Sequence, residues 1–255
     1  MLSAGIDIGS RTIALVVTDG KEIVQSAVVD TGFDPAGKAA EMAAGLGQAV
    51  SVTATGYGRH SAKSEYAGHI ITEIKAHALG AGYFFPGVRT VLDIGGQDMK
   101  VILLDAKGNV EDFQMNDKCA AGTGRFLEVM AGALGYGSAV DFGKDSLTGA
   151  LGTKISSMCT VFAESEAVSL VHRGTDRRDI GRALHASVVE RAFGLIQRVG
   201  CALPLAFTGG VALNPCIVRL LGERIKGPVL VPEDPQLVGA LGAALSGLEK
   251  KTLSV

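Results

Sequence analysis

Residues 90–105 read Thr90-Val-Leu-Asp-Ile-Gly-Gly-Gln-Asp-Met-Lys-Val-Ile-Leu-Leu-Asp105, and residues 4–19 read Ala4-Gly-Ile-Asp-Ile-Gly-Ser-Arg-Thr-Ile-Ala-Leu-Val-Val-Thr-Asp19. At an offset of 86 residues (Asp93 minus Asp7), Asp7-Ile8-Gly9 falls on Asp93-Ile94-Gly95. Leu15-Val16-Val17 falls on Val101-Ile102-Leu103, Asp19 on Asp105 and Lys21 on Lys107. Each copy is an apolar strand, a glycine turn and a second apolar strand. The offset exceeds the roughly 20–50 residues of solenoid repeats. Two copies of one supersecondary unit instead predict an α/β chain with a duplicated mixed β-sheet and two similar lobes facing each other.

Outward from these hairpins the pattern continues. Asp19-Gly20 is a turn into a third strand, Glu22–Val29. An Ala-rich helix is predicted over 35–48 and a strand over Ser51–Thr55, broken by Gly56-Tyr57-Gly58. Ile70-Ile71 reads as a strand, and Thr72–Phe85 as a helix capped by Thr72 and stopped near Pro86. After the second hairpin come a strand over Val110–Met115 and helices over 121–134, 162–173 and 177–200. A short strand, Leu205–Thr208, ends in Gly209-Gly210. Helices over 212–222 and 235–249 follow, with Pro228–Pro232 as a strand crossing between lobes. The lobes are expected to be 1–86 with 234–255, and 87–233.

A chain of 255 residues and 26.2 kDa buries roughly 72% of its unfolded surface, enough for a substantial core. Its 24 Lys+Arg against 26 Asp+Glu lack the basic excess of a nucleic-acid binder. With 47% hydrophobic and 20% charged residues it is not disordered. No apolar run reaches the roughly 18–20 residues of a membrane span. Met1–Gly5 lacks the basic and apolar regions of an export signal, so a cytoplasmic chain is expected. Four cysteines are too few for a disulfide scaffold and read as thiols, metal ligands or catalysts. The 35 glycines, about twice the ordinary share of roughly 7%, suggest tight backbone approaches such as phosphate loops.

The hairpins carry specific chemistry. Glycine turns let successive N–H groups cradle an anion. A strand-end Asp can hold Mg²⁺ through water, which nominates Asp7 and Asp93. Gly9, Ser10, Arg11 and Thr12 supply donors on the first turn, and Gly95 and Gly96 on the second. Gly209, Gly210, Val211 and Asn214, between a strand and a helix, suit an adenosine contact. Gln97 and Asp98 are candidates to orient an attacking water. Lys100 reads as a solvated strand residue. The five histidines lack zinc-site spacing. Cys201 and Cys216, in apolar helical contexts, are expected to be core thiols.

The trio Asp7-Ile8-Gly9-Ser10, Asp93-Ile94-Gly95-Gly96 and Gly209-Gly210-Val211-Ala212-Leu213-Asn214 resembles the phosphate-1, phosphate-2 and adenosine motifs of the sugar kinase, actin and heat-shock ATPase superfamily. This implies a two-lobed actin-like, ribonuclease H-like ATPase fold. The segments Ala54–Arg59, Asp93–Asp98, Gln114–Phe126 and Cys159–Glu166 further resemble the ATPase activators of 2-hydroxyacyl-CoA dehydratases, relatives of benzoyl-CoA reductase ATPase subunits. The resemblance implies ATP/ADP and Mg²⁺ as ligands and a homodimer with one [4Fe-4S] cluster between subunits. It also implies electron transfer from a ferredoxin- or flavodoxin-like donor to a dehydratase or reductase. Thr72-Glu73-Ile74 resembles the segment whose acidic residue faces the γ-phosphate, which nominates Glu73. With no Cys-x-x-Cys, one chain cannot build a Cys₄ site. Cys119 and Cys159 from each chain of a two-fold dimer would supply four thiolates. A small-molecule kinase or a nucleotide sensor of the same superfamily are the competing readings.

Overall fold

The computed structural model describes residues 2–46, 50–155 and 159–252. Strands β1 (Ser3–Ile8), β2 (Thr12–Thr18) and β3 (Ile23–Asp30) form an antiparallel meander. After helix α1 (Pro35–Ala44), strand β4 (Ser51–Gly56) joins β1 in parallel; α2 (Arg59–Glu65) leads to the short parallel strand β5 (His69–Ile70). Helix α3 (Glu73–Phe84), capped by Thr72, completes this half. The second half restates the plan. β6 (Thr90–Ile94), β7 (Met99–Leu104) and β8 (Val110–Asn116) form the meander. Four helices intervene: α4 (Gly124–Ala133), α5 (Ala139–Ser146), α6 (Thr160–His172) and α7 (Arg177–Val199). Then β9 (Leu205–Thr208) joins β6 in parallel, α8 (Pro215–Ile225) leads to β10 (Val229–Leu230), and α9 (Val238–Thr252) ends the described chain. The sheet orders, β3-β2-β1-β4-β5 and β10-β9-β6-β7-β8, are equivalent.

The duplication holds residue by residue. Asp7 pairs with Ala14 and Asp93 with Lys100; Ile8 pairs with Ile13 and Ile94 with Met99. On the other side Asp7 pairs with Thr55 and Asp93 with Thr208. Gly56 and Gly209 then turn away with φ of +84° and +83°. A Cβ there would lie 2.5 Å from the Ile8 carbonyl oxygen and 2.4 Å from that of Ile94, so both positions require glycine. This second correspondence is hidden from the 86-residue comparison because α4–α7 lengthen the second copy.

Each half lends a helix to the other's sheet. Ala78 and Ala81 of α3 pack with Val91, Ile102, Leu104 and Ala206 of the second sheet. Ala240 and Leu241 of α9 pack with Ala14 and Val16 of the first. Where α3 and α9 cross, their backbones touch: a Cβ on Gly242 would stand 1.7 Å from the Ala76 carbonyl oxygen, and one on Gly80 2.1 Å from that of Val238. The glycine excess thus serves helix crossing as well as tight strand turns.

Several expectations are corrected. Helices α2 and α5 were not anticipated. The helix expected from 121 begins at Gly124 after its N-cap Thr123. The helix expected from 212 begins at Pro215, because Asn214 caps it and proline suits the first position; a 3₁₀ turn, Gly210–Leu213, precedes it. The helix expected over 35–48 ends at Ala44, and residues 47–48 lie outside the described residues. Cys201 is exposed rather than in the core: α7 stops at Val199, and Gly200, at φ +98°, turns the chain outward. Cys216 is buried as expected. Among the described residues no helix is long and apolar enough to cross a membrane.

Candidate functional site

The two strand–turn–strand units present their turns to one cleft. Gly9 N–H donates to the Thr12 carbonyl at 3.0 Å, and Gly95 N–H to that of Asp98 at 3.0 Å, so the two turns close alike. Thr31 braces the first by donating from its hydroxyl to the Gly9 carbonyl at 2.9 Å. The cleft brings together the candidates Asp7, Gly9, Ser10, Arg11 and Thr12 from the first turn and Asp93, Gly95, Gly96 and Asp98 from the second. Glu73 reaches it from α3, and Gly209, Gly210, Val211 and Asn214 form its far wall. Gln97 does not line it; its side chain is exposed.

Lys100 overturns the expectation of a solvated residue. It is 2% exposed because its register partner on the central strand is Asp93, and both face the cleft. Its Nζ lies 2.7 Å from Glu73 Oε2 and 3.2 Å from Asp93 Oδ2, and also contacts Asp98 Oδ2. Burial alone would discourage its charge; Asp93, Glu73 and Asp98 outweigh burial and hold its pKa well above the ordinary lysine value. Burial pushes Asp93 up, but His77 and Lys100 pull it below the usual carboxylate range. Asp98 is raised, by burial first. His77, one helical turn after Glu73 on α3, has its Nδ1 3.4 Å from Asp93 Oδ1 and 3.3 Å from Thr208 Oγ1.

Asp7 is the contrast. Among the described residues it has neither a hydrogen bond nor a cation within 4.0 Å, and burial raises its pKa to about 6. Thr208 donates to Asp93 Oδ1 at 3.0 Å, whereas the hydroxyl of its counterpart Thr55, beside Asp7, is buried without a partner.

The far wall is held internally. Asn214 Oδ1 accepts from the Cys216 and Ile217 amides, and Nδ2 donates to the Ala139 carbonyl at 2.8 Å and to His185 Nε2 at 3.0 Å. Its amide is consumed by capping α8 and anchoring α5, leaving its edge to line the cleft. His185 donates from Nδ1 to the Gly181 carbonyl at 2.7 Å; burial lowers its pKa to about 4, so it is neutral and its Nε2 accepts.

The α4 N-terminus is tied to the second turn. Gly124 N–H donates to the Gly95 carbonyl at 2.9 Å, Arg125 N–H to that of Gly96 at 2.8 Å, and Thr123 Oγ1 to the same Gly96 oxygen at 3.0 Å. Cys119 precedes this junction by a few residues. It is exposed, and its carbonyl accepts from Asn116 Nδ2 at 3.3 Å. Cys159 is also exposed and is the N-cap residue of α6. Exposed thiols are unusual, since free cysteine is normally buried. Among the described residues neither cysteine stands in a group of three side chains able to hold a metal ion.

Sequence reasoning missed Tyr57, His77, Gly124, Glu128 and Gln236, all of which line the cleft. His77 had a signal, four residues after Glu73 on one helix face. Lys100 had another, facing Asp93 in the repeat register. The others depend on how the two sheets face each other.

The sequence profile of the BadF/BadG/BcrA/BcrD ATPase family matches residues 4–247. The activator of lactoyl-CoA dehydratase from Anaerotignum propionicum is 45% identical over 258 residues, spanning 98% of each chain. The structure of the activator of the 2-hydroxyisocaproyl-CoA dehydratase from Clostridium difficile, with bound ADPNP, is similar at TM-score 0.91 and 40% identity, over 100% of this chain and 97% of that one. A ROK family glucokinase from Streptomyces griseus shares the fold alone, with TM-score 0.59 and 15% identity over 96% of this chain and 98% of its own. The architecture is the actin-like α/β fold expected from the sequence motifs.

Proposed function

The chain belongs to the BadF/BadG/BcrA/BcrD ATPase family, and from this we propose that it is an ATP-hydrolysing reductive activator. It passes a low-potential electron to a 2-hydroxyacyl-CoA dehydratase or a related reductase. The names of the lactoyl-CoA and 2-hydroxyisocaproyl-CoA dehydratase activators support the partner class. The observation that carries the reading is the junction at α4. The turn that would hold ATP phosphates is hydrogen-bonded to a helix N-terminus just beyond an exposed cysteine.

In this reading the lobes 1–86 with 234–255 and 87–233 close on ATP. Backbone amides of the Gly9–Thr12 and Gly95–Gly96 turns cradle the phosphates, and Arg11 adds a cation. Asp7 and Asp93 hold Mg²⁺, which when bound would neutralise charge on the transferring phosphoryl group. Glu73 and Asp98, aligned by Lys100, orient the attacking water, with exposed Gln97 reaching in only on closure. Gly209, Gly210, Val211 and the edge of Asn214 form the adenosine wall.

Cys119 and Cys159, both free and exposed, would supply half of a four-thiolate site, and a two-fold homodimer the other half. The [4Fe-4S] cluster so held would provide one-electron chemistry, reloaded by a ferredoxin- or flavodoxin-like donor. The outer face of α6 supports such a dimer. Only Ala163 and Ala167 of this helix are buried, while Val161 and Phe162, next to Cys159, are both 66% exposed. The test is iron content after anaerobic purification. Wild type and Cys201→Ala should carry four irons per dimer, and Cys119→Ala and Cys159→Ala none. A ligand variant that keeps its iron sinks the assignment.

A further inference from the structure

Helix α7 carries five arginines, and three of them are satisfied within the chain. Arg177 lies 3.6 Å from Asp145 and Arg178 2.6 Å from Asp176, while Arg182 donates to the Gly149 carbonyl at 3.0 Å. Among the described residues Arg191 and Arg198 have neither an ion pair nor a side-chain hydrogen bond. The carboxylate beside them, Glu190, is taken by Arg224 at 2.7 and 3.3 Å. Seven residues apart, the two arginines share one helix face, about 10.5 Å apart along the axis. They line a groove between α7 and the edge strand β8, with Gln114 and Asn116 on the strand and Gly194 and Leu195 between them on the helix. A Cβ on Gly194 would meet nothing within 4 Å, so packing does not demand glycine there; its effect is to keep the groove open. Both walls reach the Cys119 loop. Asn116 Nδ2 donates to the Cys119 carbonyl at 3.3 Å, and a Cβ on Gly122 would stand 2.7 Å from Arg191 Cδ.

We infer that this groove docks an acidic electron-carrier protein, the donor that reloads the cluster. This rests on the reductive-activator reading above. Unpaired guanidiniums two helical turns apart match carboxylates spread over a protein surface better than one small anion. Exposed charge of this kind steers brief encounters, and redox partners meet through small interfaces. The exposed apolar face of α6, by contrast, suits a lasting subunit contact. On docking, one electron would leave the reduced carrier, oxidising it by one, and enter the cluster beside Cys119; no atom is transferred.

The test uses the full chain, purified anaerobically, with a bacterial two-cluster ferredoxin as the probe. Calorimetry reads ferredoxin binding. Stopped-flow absorbance reads cluster reduction by reduced ferredoxin and, separately, by dithionite. The double variant Arg191→Gln with Arg198→Gln should weaken ferredoxin binding and slow ferredoxin-driven reduction at least about fivefold at low salt, and flatten the salt dependence of that rate. Gly194→Leu, which fills the groove without changing its charge, should also weaken binding. Dithionite-driven reduction and ATP hydrolysis should stay within about twofold of wild type in both variants. Unchanged ferredoxin binding in either variant overturns the inference. So does a double variant that loses its dimer in sedimentation, which would make the groove a subunit contact, or one that keeps ferredoxin and loses the dehydratase, which would assign it to the acceptor. A chain that carries no cluster overturns the activator reading, while the binding comparison still decides the groove.

Discussion

Arg11 and Glu128 join the two halves across the mouth of the cleft. Arg11 Nε donates to Glu128 Oε1 at 3.0 Å, and Nη2 lies 3.0 Å from the same oxygen. Arg11 sits on the turn between β1 and β2, and Glu128 on α4. The side chains are 50% and 32% exposed, and pairs this exposed contribute about 0–1 kcal/mol. A phosphate can therefore take Arg11 from Glu128 at little cost. Glu128→Gln should tighten ADP binding two- to five-fold without moving the melting temperature, and Arg11→Ala should weaken it. Calorimetric titration checks both, and Glu128→Gln weakening ADP as much as Arg11→Ala would refute the exchange.

The crossing of α3 and α9 makes Gly242 irreplaceable. A methyl group there would meet the Ala76 carbonyl at 1.7 Å, and neither backbone can give way without moving a sheet. Gly242→Ala should cost more than about 3 kcal/mol, in the range of severe overpacking. Gly132, exposed near the end of α4 with nothing within 4 Å of a built Cβ, is the control. Gly132→Ala should stabilise by about 0.5–1 kcal/mol. Urea unfolding of the two variants should move in opposite directions.

His185 sets a limit on acid stability. Its pKa in the fold, about 4, lies below the ordinary 6.5, so the unfolded chain takes up the proton first. The stability this neutral histidine contributes is complete above about pH 6.5 and is lost as pH falls toward 4. The linked change is on the order of 3 kcal/mol. Protonation would also set an Nε2–H against the Asn214 amide donor and release the α8 cap. Unfolding free energy measured between pH 7 and 4.5 should fall more steeply in wild type than in His185→Gln. Parallel slopes would show that His185 does not titrate with folding.

Thr123 links the turn between β6 and β7 to the Cys119 loop. Its hydroxyl contacts the carbonyls of Gly96 at 3.0 Å and Ala120 at 2.6 Å. If nucleotide closure acts on the proposed cluster through this joint, iron removal by a chelator should proceed at different rates with ADP and with ADPNP. Thr123→Val, which keeps the shape and loses the bond, should shrink that difference while ATP hydrolysis persists. An undiminished difference in Thr123→Val would move the coupling elsewhere.

The two hairpins, their offset, the turns at Gly9 and Gly95, and most strand bounds are legible in the sequence, because alternation and glycine punctuation are local properties of the chain. So are the carboxylates and the two isolated cysteines, whose neighbours are distinctive over several residues. The rest arises only when distant segments pack together. Thr55-Gly56 matches Thr208-Gly209 only once four helices are folded out of the way. The partners of Lys100 come from β6, the second turn and α3, and only burial turns a strand lysine into a counter-ion for three carboxylates. Cys201 and Cys216 read alike in sequence, yet a glycine turn exposes one and helix packing buries the other. Each of these depends on which segments distant in sequence share one low-dielectric space, and no local pattern carries that information.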